Sequence, residues 1–411
     1  MPDINIFSGT FCKDGSIVRA LHKGTENRLV TDKDIIAEAS RLCGIAETKI
    51  EKTFSAKTSV FNKFTHERER FIAYLKLALA QMLSSDNLVL AGFAGQLIPR
   101  DISHVLRVCL IADMKTRLFE AAKEQNLSES ETIKLIRKQD EDRASWIYNL
   151  FNSNDPWDTS LYDIIIPTDK MGIEDAAALI KENLDKDAVK ITDRSTKAVE
   201  DFLLAANVEV ALVKEGHNVG VIAKDGSITL TIDKQVLMLN RLESELTSIV
   251  EKLPGVKSIE TKVGPKFYRT DIYRKYDFEM PSKILLVDDE REFVQTLSER
   301  LLMREMGSAV TYDGKSALEL VKEDEPDVMI LDLKMPGIDG IEVLRRIKET
   351  QPEIEVIILT GHGSEADRET CMNLGAFAYL HKPVNINELS NTIKKANEKI
   401  HKKEKDKDSE S

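Results

Sequence analysis

The chain has 411 residues, of which 42% are hydrophobic and 31% are charged, so it is too long for one ordinary core and we expect two or three domains. Its formal net charge of -12 argues against broad nucleic-acid binding, because such binding depends largely on Lys and Arg neutralising phosphates. Its cysteines lack CxxC spacing and no segment is long and apolar enough to span a membrane, so we expect a cytoplasmic protein without zinc, disulfides or a membrane span.

The N-terminal part alternates predicted strands and helices, which indicates a parallel α/β sheet. Residues 3–7 (DINIF) are predicted as a strand that leads through the loop SGTFCKDGS into a helix. This order can cradle a phosphate, because backbone N–H groups and the helix N-terminus face the anion. Gly9 and Gly15 are one residue too far apart for the standard phosphate loop, and no lysine separates Gly15 from Ser16. An ordinary turn is therefore the simpler interpretation from spacing alone.

Two buried strands are predicted next, at residues 87–92 and 105–113, with the helix MKTRLFEAAKEQ after the second. A charged helix then begins at a predicted capping box. Within it Asp140 and Arg143 share one face at i,i+3 spacing. Taken alone, this pair is typical of a solvated, salt-bridged helix face.

About residues 1–185 resemble the cytidylate kinase-like family, mainly through RKQDEDRASWIYNLFNSNDPWDTSLYDIIIPTDKMGIEDAAALI. In that family the D-x-x-R helix forms a lid whose arginine neutralises the transferring phosphates. The resemblance implies a site for ATP or another nucleotide at Gly9, Lys13, Gly15, Ser16, Asp140 and Arg143.

The sequence departs from this family at two places. Lys13, Gly15 and Ser16 only roughly replace the family's phosphate loop, and Phe93 stands where the family has an arginine. Phosphoryl transfer depends on positioning and on charge placed against the phosphates, so both departures weaken catalysis. We favour a degenerate nucleotide-binding or structural domain over an active kinase.

Over residues 190–265 the sequence pattern changes from alternating strands and helices to an α+β pattern. DRSTKAVEDFLLAA is predicted as helical, and VEVALV and NVGVIA are predicted as extended segments before a KDG turn and the strand SITLTI. This region resembles a BON domain, a resemblance that implies binding or oligomerisation. Residues 266–281 are interpreted as a linker.

From residue 282 to about 400 strands and helices alternate five times, which predicts a doubly wound, flavodoxin-like sheet. Polar residues follow the strands: Asp288 and Asp289, then Asp332, Thr360 and Lys382. In such sheets ligands bind at the carboxyl ends of the strands. We therefore expect these residues to form one site.

The chemistry of this set fits capture of a phosphoryl group. Three crowded carboxylates need a cation, and Mg²⁺ prefers oxygen ligands. Asp332 is then a nucleophile that forms an aspartyl phosphate, while Lys382 and Thr360 contact its oxygens. Each residue alone has a simple structural explanation, but the joint pattern does not.

The motifs VDDE, LDLKMPGIDG, LTGHG and LGAFAYLHKP resemble the receiver domain of two-component response regulators. The resemblance implies a metal site at Asp288, Asp289, Asp332 and the backbone carbonyl of Lys334. It also implies Asp332 as phosphoacceptor, Thr360 and Tyr379 as a coupled switch, and Lys382 as a phosphate contact. A sensor histidine kinase is the implied partner, and a homodimer through the receiver is left open.

Residues 401–411 are predicted as a charged, fraying tail without a DNA-binding helix pair, so the output is expected N-terminal to the receiver. Three hypotheses follow. The first is a signalling protein switched at Asp332 that does not bind DNA directly; the alternative is a receiver-regulated nucleoside monophosphate kinase, and the third is a pure interaction protein.

Overall fold

The computed structural model describes residues 2–22, 27–84, 87–125, 127–234, 236, 238–265, 267, 283–304, 306–361 and 363–409, with the side chains of 63, 401 and 403–409 excepted. The chain forms two compact units. The first comprises Met1–Thr58 and Arg68–Arg274, and the second comprises Ser59–Glu67 and Lys275–Ser411. A nine-residue excursion from the N-terminal half thus belongs to the C-terminal unit.

The strands, in chain order, are β1 (Asp3–Ser8), β2 (Arg28–Thr31), β3 (Leu88–Ala91), β4 (Val105–Ile111), β5 (Ile164–Pro167), β6 (Gly220–Lys224), β7 (Ser227–Ile232), β8 (Ser258–Val263), β9 (Ile284–Val287), β10 (Ser308–Thr311), β11 (Val328–Leu331), β12 (Glu355–Thr360) and β13 (Ala378–His381).

The α-helices are α1 (Asp14–His22), α2 (Asp32–Cys43), α3 (Glu47–Glu51), α4 (Asn62–Thr65), α5 (Glu67–Leu83), α6 (Met114–Glu124), α7 (Glu129–Phe151), α8 (Ile173–Leu184), α9 (Asp193–Lys214), α10 (Leu239–Val250), α11 (Arg291–Leu302), α12 (Gly314–Glu323), α13 (Gly340–Thr350), α14 (Glu365–Asn373) and α15 (Ile386–Ser409). Short 3₁₀ turns cover Lys52–Phe54, Ala94–Leu97, Thr159–Leu161 and Asp187–Val189.

The first unit is built on a five-stranded parallel sheet with the order β2-β3-β1-β4-β5. Its central strand β1 (DINIFS) is buried along almost its whole length, and the polar residues Asp3 and Asn5 are buried along with the apolar ones. Separate apolar clusters, one containing α5 and another containing α1 and α8, cover the sheet. The predicted parallel α/β fold is confirmed. The edge strand β2 was not predicted from the sequence.

The capping box predicted for the charged helix is present. The Ser128 side chain accepts a hydrogen bond from the backbone N–H of Glu131, and the Glu131 carboxylate accepts one from the backbone N–H of Ser128. Because the cap satisfies N–H groups that have no partner inside a helix, it fixes where α7 begins. This start sets the position of Asp140 and Arg143 farther along the same helix.

The prediction of an extended segment at VEVALV is wrong, because residues 208–213 form the C-terminal part of the long helix α9. Val210 packs into the cluster that contains α5, whereas Val208 and Leu212 pack into a second cluster with β7 and α10. A helix buried on two faces therefore produced the alternation that was interpreted as a strand.

The region after α9 contains the predicted hairpin. β6 and β7 pair antiparallel across the turn at Asp225–Gly226, and β7 pairs in parallel with β8. Gly226 has a φ of 85°, a conformation that glycine adopts without a Cβ penalty. α10 packs its apolar side on this three-stranded sheet. The observed elements match the α+β pattern predicted after residue 214.

The second unit carries a five-stranded parallel sheet in the order β10-β9-β11-β12-β13. This is the flavodoxin-like order predicted from the sequence. Two apolar clusters cover its faces, one with α12 and α13 and one with α11 and α15. α15 continues to Ser409, so most of the segment predicted as a fraying tail is helical.

The structure also bears on the expected absence of a membrane span. Among the residues described above, none of the helices combines the length and the apolarity that crossing a membrane requires.

Candidate functional site

The carboxyl edge of the second sheet brings the predicted acidic residues together. β9 and β11 are parallel neighbours with Val287 opposite Leu331, so Asp288 and Asp332 leave the sheet side by side. The backbone N–H of Asp332 also donates to the carbonyl of Val287 at 2.9 Å. Two buried strands that end in register therefore fix the spacing of two carboxylates.

Asp288, Asp289 and Asp332 form a compact acidic group, in which one carboxylate oxygen from each lies within 4.8 Å of the others. Asp288 and Asp332 are only 4% and 5% exposed, whereas Asp289 is exposed. Within the described part of the chain, Oδ1 of Asp332 is buried and accepts no hydrogen bond. The group has the oxygen donors and the unsatisfied atom that a hard cation would complement.

Lys382 supplies the positive charge at this edge. Its Nζ lies 2.7 Å from Oδ2 of Asp288 and 3.0 Å from Oε1 of Glu290, but 4.0 Å from Oδ1 of Asp332. It also lies 4.4 Å from the centre of the Phe293 ring. The sequence analysis did not include Glu290 in the site, although this residue closes the VDDE motif.

The electrostatics of the site reflect burial and crowding. Burial raises the pKa of Asp288, and the hydrogen bond from Lys382 only partly offsets this effect, while the Asp332 charge adds to it. Burial lowers the pKa of Lys382, but hydrogen bonds to Asp288 and Glu290 outweigh burial and leave the pKa raised. The lysine is therefore held charged beside carboxylates that repel one another.

The two predicted switch residues are adjacent in the sheet. Thr360 ends β12 and is fully buried, and Tyr379 lies on the neighbouring strand β13, opposite Ile358. Among described residues, the Tyr379 hydroxyl is buried without a hydrogen-bond partner. A Cβ added at Gly363 would overlap this hydroxyl. Glycine at position 363 therefore leaves room for the inward position of the ring.

The loop after Asp332 is shaped by two glycines. Gly337 has a φ of 87°, and a Cβ at Gly340 would overlap the carbonyl oxygen of Asp332. Asp339 caps α13 by accepting from the backbone N–H of Glu342 at 2.8 Å. Lys334, whose carbonyl was predicted as a metal ligand, has an exposed side chain in this loop.

The residues predicted to bind nucleotide also gather at one sheet edge, around the loop after β1. The backbone N–H of Gly9 donates to Leu110 O at 2.9 Å, and that of Ser16 donates to Lys13 O at 3.1 Å. Nζ of Lys13 donates to Thr168 O at 2.8 Å. Gly15 lies in the first turn of α1. The backbone N–H groups of Gly9 and Ser16 and the Lys13 ammonium group, which could otherwise face a phosphate, therefore already donate to acceptors of the protein.

Arg143 is buried at 9% exposure and holds the same loop. Its Nε donates to Ser8 O at 2.6 Å, and its Nη1 donates to Thr10 Oγ1 and to Gln139 O, both at 2.9 Å. The simple interpretation of a solvated face is wrong for this residue. Its guanidinium stabilises the loop backbone.

Asp140 pairs with an arginine that the sequence analysis missed. Both of its carboxylate oxygens accept from Arg117, at 2.7 and 2.8 Å, and Nε of Arg117 donates to Thr10 O at 2.7 Å. Arg117 lies on α6, 23 residues before Asp140. No local periodicity could have revealed the pair, although α6 was predicted to precede α7.

Phe93 belongs to an aromatic group beside the loop. Its ring lies 5.4 Å from Phe54 and 5.8 Å from Phe7, and the Arg143 guanidinium lies 5.3 Å from its centre. Nε1 of Trp146 donates to the Phe93 carbonyl at 2.9 Å. An apolar cluster thus occupies the position where the resemblance places a cationic side chain.

The predicted linker at 266–281 lies outside the described residues except for Phe267, as does His362, which was interpreted as a loop residue. Residues 410 and 411 of the predicted tail lie outside them too.

Two family models match separate parts of the chain. Residues 284–394 match the "Response regulator receiver domain" and residues 25–170 match the "Cytidylate kinase-like family". The chain therefore carries a C-terminal response regulator receiver domain, and its N-terminal part is similar to cytidylate kinase-like proteins. The receiver and cytidylate kinase-like resemblances inferred from the sequence are confirmed at this level.

Individual proteins are similar to this chain over shorter stretches. Response regulator MprA of Mycolicibacterium vanbaalenii is 36% identical over 110 residues, which are 27% of this chain and 48% of that protein. The chain thus spans about half the length of this curated relative.

Solved structures of receiver domains are similar as well. A CheY-like receiver domain protein from Methanospirillum hungatei JF-1 is 26% identical and covers 29% of this chain and 97% of its own, with a TM-score of 0.29. A receiver domain protein from Clostridium thermocellum is 37% identical and covers 28% of this chain and 94% of its own, with a TM-score of 0.28.

Proposed function

We propose that this chain, which carries a receiver domain homologous to those of response regulators, accepts a phosphoryl group on Asp332 from a sensor histidine kinase and relays that state to its N-terminal half. The observation that supports this most strongly is the acidic group of Asp288, Asp289 and Asp332, in which Asp288 and Asp332 are buried, with Lys382 beside it. Three carboxylates converge there with one ammonium group, an arrangement with net negative charge that a bound cation would stabilise.

Mg²⁺ is the proposed cation, because Asp288, Asp289, Asp332 and the Lys334 carbonyl are hard oxygen donors. When bound, it would neutralise charge on the carboxylates and on the incoming phosphoryl group. The residues of the chain do the remaining work. An Asp332 oxygen attacks phosphorus, a new P–O bond forms, and the bond to the donor's nitrogen breaks with its electron pair leaving on that nitrogen.

Lys382 and Thr360 are proposed to hold the transferred group. Nζ of Lys382 is 4.0 Å from Asp332 Oδ1, close enough that a small movement would bring it to an added phosphoryl oxygen. Thr360 would donate its hydroxyl to another oxygen. Movement of Thr360 toward the phosphoryl group would then change its packing near Tyr379, which is how the state of Asp332 would reach the surface of the receiver.

Phosphorylation with a small donor tests this function. The full chain is incubated with acetyl phosphate in Mg²⁺ or in EDTA, and the products are separated on a phosphate-affinity gel. We expect a shifted band only with Mg²⁺. A wild-type protein that stays unshifted under both conditions would overturn the proposal.

A nucleoside monophosphate kinase regulated by the receiver is the second candidate, supported by the match over residues 25–170 and by the gathering of Gly9, Lys13, Asp140 and Arg143. The hydrogen bonds of Arg143 weigh against it, because a lid arginine must be available for phosphates. A coupled assay with ATP and CMP decides the matter, with Arg143→Ala as the background. Turnover above that background would establish the enzyme, and turnover equal to it would retire the idea.

The remaining roles follow from the same proposal. The three-stranded sheet with α9 and α10 is proposed as a BON-like module for binding or oligomerisation. The receiver is the proposed surface for a homodimer. The net charge of -12 supports an output that does not bind DNA directly.

A further inference from the structure

Residues 59–67 interrupt the first unit and belong to the second. The chain leaves the first unit after Thr58, folds with the receiver through Glu67, and returns to the first unit at Arg68. We call residues 59–67 the insert segment. It includes the short helix α4, and nothing in either family resemblance assigns it a role.

The insert segment is anchored in the receiver core. Phe61 is fully buried in the apolar cluster of the second unit. The backbone N–H of Val60 donates to Asp324 Oδ2 at 2.8 Å, and Glu67 lies 2.7 Å from Nζ of Lys283. These contacts combine apolar burial with a hydrogen bond and an ion pair that is shielded from solvent, since the Lys283 side chain is only 14% exposed.

The backbone of the receiver is shaped for this segment. A Cβ added at Gly307 would overlap the side chain of Phe64. Gly307 and Lys283, which contact this segment, lie just before the strands β10 and β9, at the edge opposite Asp332. The insert segment therefore occupies the pole away from the phosphoacceptor and leaves that site open.

The apolar cluster that holds Phe61 extends to the phosphoacceptor site. The same cluster contains Leu333 and Met335, which directly follow Asp332, and Tyr379 packs against it. Protein cores are packed densely enough that rearrangement at one end is felt at the other. Movement of Tyr379 therefore has a continuous apolar route to Phe61.

The residues that flank the insert segment are tied to helix α7 within the first unit. The Asp142 carboxylate accepts from the backbone N–H of Ala56 at 2.7 Å and from Ser55 Oγ at 3.4 Å. Nε of Arg68 donates to Thr53 O at 3.1 Å, which ties the two ends of the excursion together. Asp142 directly precedes Arg143, the residue that holds the loop after β1.

We propose that the insert segment transmits the phosphorylation state of Asp332 to helix α7, with Phe61 as its anchor in the receiver and Asp142 as its contact on α7. This inference rests on the proposed phosphoacceptor function and specifies its output. The output is a change in the hydrogen bonds of Ser55 and Ala56 to Asp142 on α7, and through Arg143 a change in the loop after β1.

Hydrogen–deuterium exchange on the full chain tests the proposal. Exchange is compared with and without acetyl phosphate and Mg²⁺, and intact mass reports the phosphoryl occupancy of each sample. In the wild type we expect exchange to change both around Asp332 and in peptides covering residues 52–58 and α7. In Phe61→Ala the change around Asp332 should persist, whereas the change at residues 52–58 and α7 should be lost.

Two further variants protect the test against a Phe61→Ala protein that fails to fold. Asp142→Ala removes the acceptor on α7 and leaves Phe61 in place, so it should abolish the response of residues 52–58. Glu141→Ala changes an exposed neighbour on the same helix and should respond like the wild type.

The outcomes separate the two proposals. A wild-type protein that gains a phosphoryl group without any change at residues 52–58 and α7 would overturn the transmission proposal alone. So would a full response in Phe61→Ala and Asp142→Ala. A wild-type protein that gains no phosphoryl group would overturn the proposed function itself, and this proposal with it.

Discussion

Lys382 contacts Asp288 at 2.7 Å and stops 4.0 Å from Asp332. One ammonium group therefore neutralises the first carboxylate and leaves Oδ1 of the second without a hydrogen bond from any described residue. Such an arrangement is unfavourable for an empty site, because like charges are held together in a partly buried position. It leaves a buried acceptor that a cation or a transferred phosphoryl group could satisfy.

Removing one of these charges should therefore stabilise the metal-free protein. We expect Asp332→Asn to raise the free energy of unfolding by about 1–2 kcal/mol in EDTA, because it relieves repulsion from Asp288 and Asp289. Addition of Mg²⁺ should raise the Tm of the wild type more than that of the variant. Thermal denaturation measures both effects, with Glu349→Gln as a control that changes an exposed carboxylate of the receiver away from the site. A variant less stable than the wild type in EDTA would contradict the repulsion argument.

The inward position of Tyr379 should depend on the missing side chain at position 363. Gly363→Ala places a methyl group where the Tyr379 hydroxyl lies, so we expect the ring to turn outward. Gly361→Ala is the matched control, because its added Cβ would meet only the Lys382 side chain, at 3.9 Å. ¹⁹F NMR of fluorotyrosine-labelled protein should show a shifted Tyr379 resonance in the first variant alone. An unshifted resonance in Gly363→Ala would disprove the steric explanation.

Arg143 should act on stability even without a nucleotide. Arg143→Ala leaves Ser8 O and Gln139 O without their guanidinium donors, and buried acceptors without donors are costly. We expect a loss of about 2–3 kcal/mol in the free energy of unfolding, measured by urea denaturation. Arg137→Ala, an exposed change on the same helix, should stay within about 0.5 kcal/mol of the wild type. Equal stability of the two variants would show that Arg143 does not hold the loop.

The start of β1 predicts a pH dependence. Burial raises the pKa of the Asp3 carboxyl from 3.8 to about 7, despite the hydrogen bond from the backbone N–H of Leu88. His104 Nε2 lies 3.7 Å away, and burial lowers the pKa of this imidazole. Between pH 3.8 and about pH 7 the Asp3 carboxyl binds a proton in the folded state that it has released in the unfolded chain. The free energy of unfolding therefore falls as the pH rises through this range.

Asp3→Asn should remove this dependence. Relative to the variant, the wild type should lose up to about 1.4 kcal/mol per pH unit in the middle of the window. Urea denaturation at a series of pH values gives the difference, and Asp101→Asn, an exposed change, should follow the wild type. Parallel pH profiles for wild type and Asp3→Asn would contradict the raised pKa.

The sequence was most informative where local pattern and function coincide. In the receiver each buried strand is a short apolar run that ends in a polar residue, so the order of strands and the meeting of Asp288 with Asp332 could both be predicted. The N-terminal site was less predictable, because its key contact joins Arg117 to Asp140 across two helices. Sequence spacing carries no signal for such a pair.

Two further features were beyond local pattern. Residues 208–213 alternate like a strand because helix α9 is buried on two faces, and periodicity alone cannot distinguish these cases. Phe61 lies with Val60 and Phe64 in a short stretch without helix or strand periodicity, so the local sequence did not indicate that it is buried in the receiver cluster. In both cases the structure depends on tertiary packing rather than on the local sequence.

The central claim is that Asp332 accepts a phosphoryl group. The most direct measurement is the intact mass of wild type, Asp332→Asn and Asp339→Asn after incubation with acetyl phosphate and Mg²⁺. We predict one added phosphoryl group in the wild type and in Asp339→Asn, and none in Asp332→Asn. An equal gain in Asp332→Asn, or no gain in the wild type, would contradict the account.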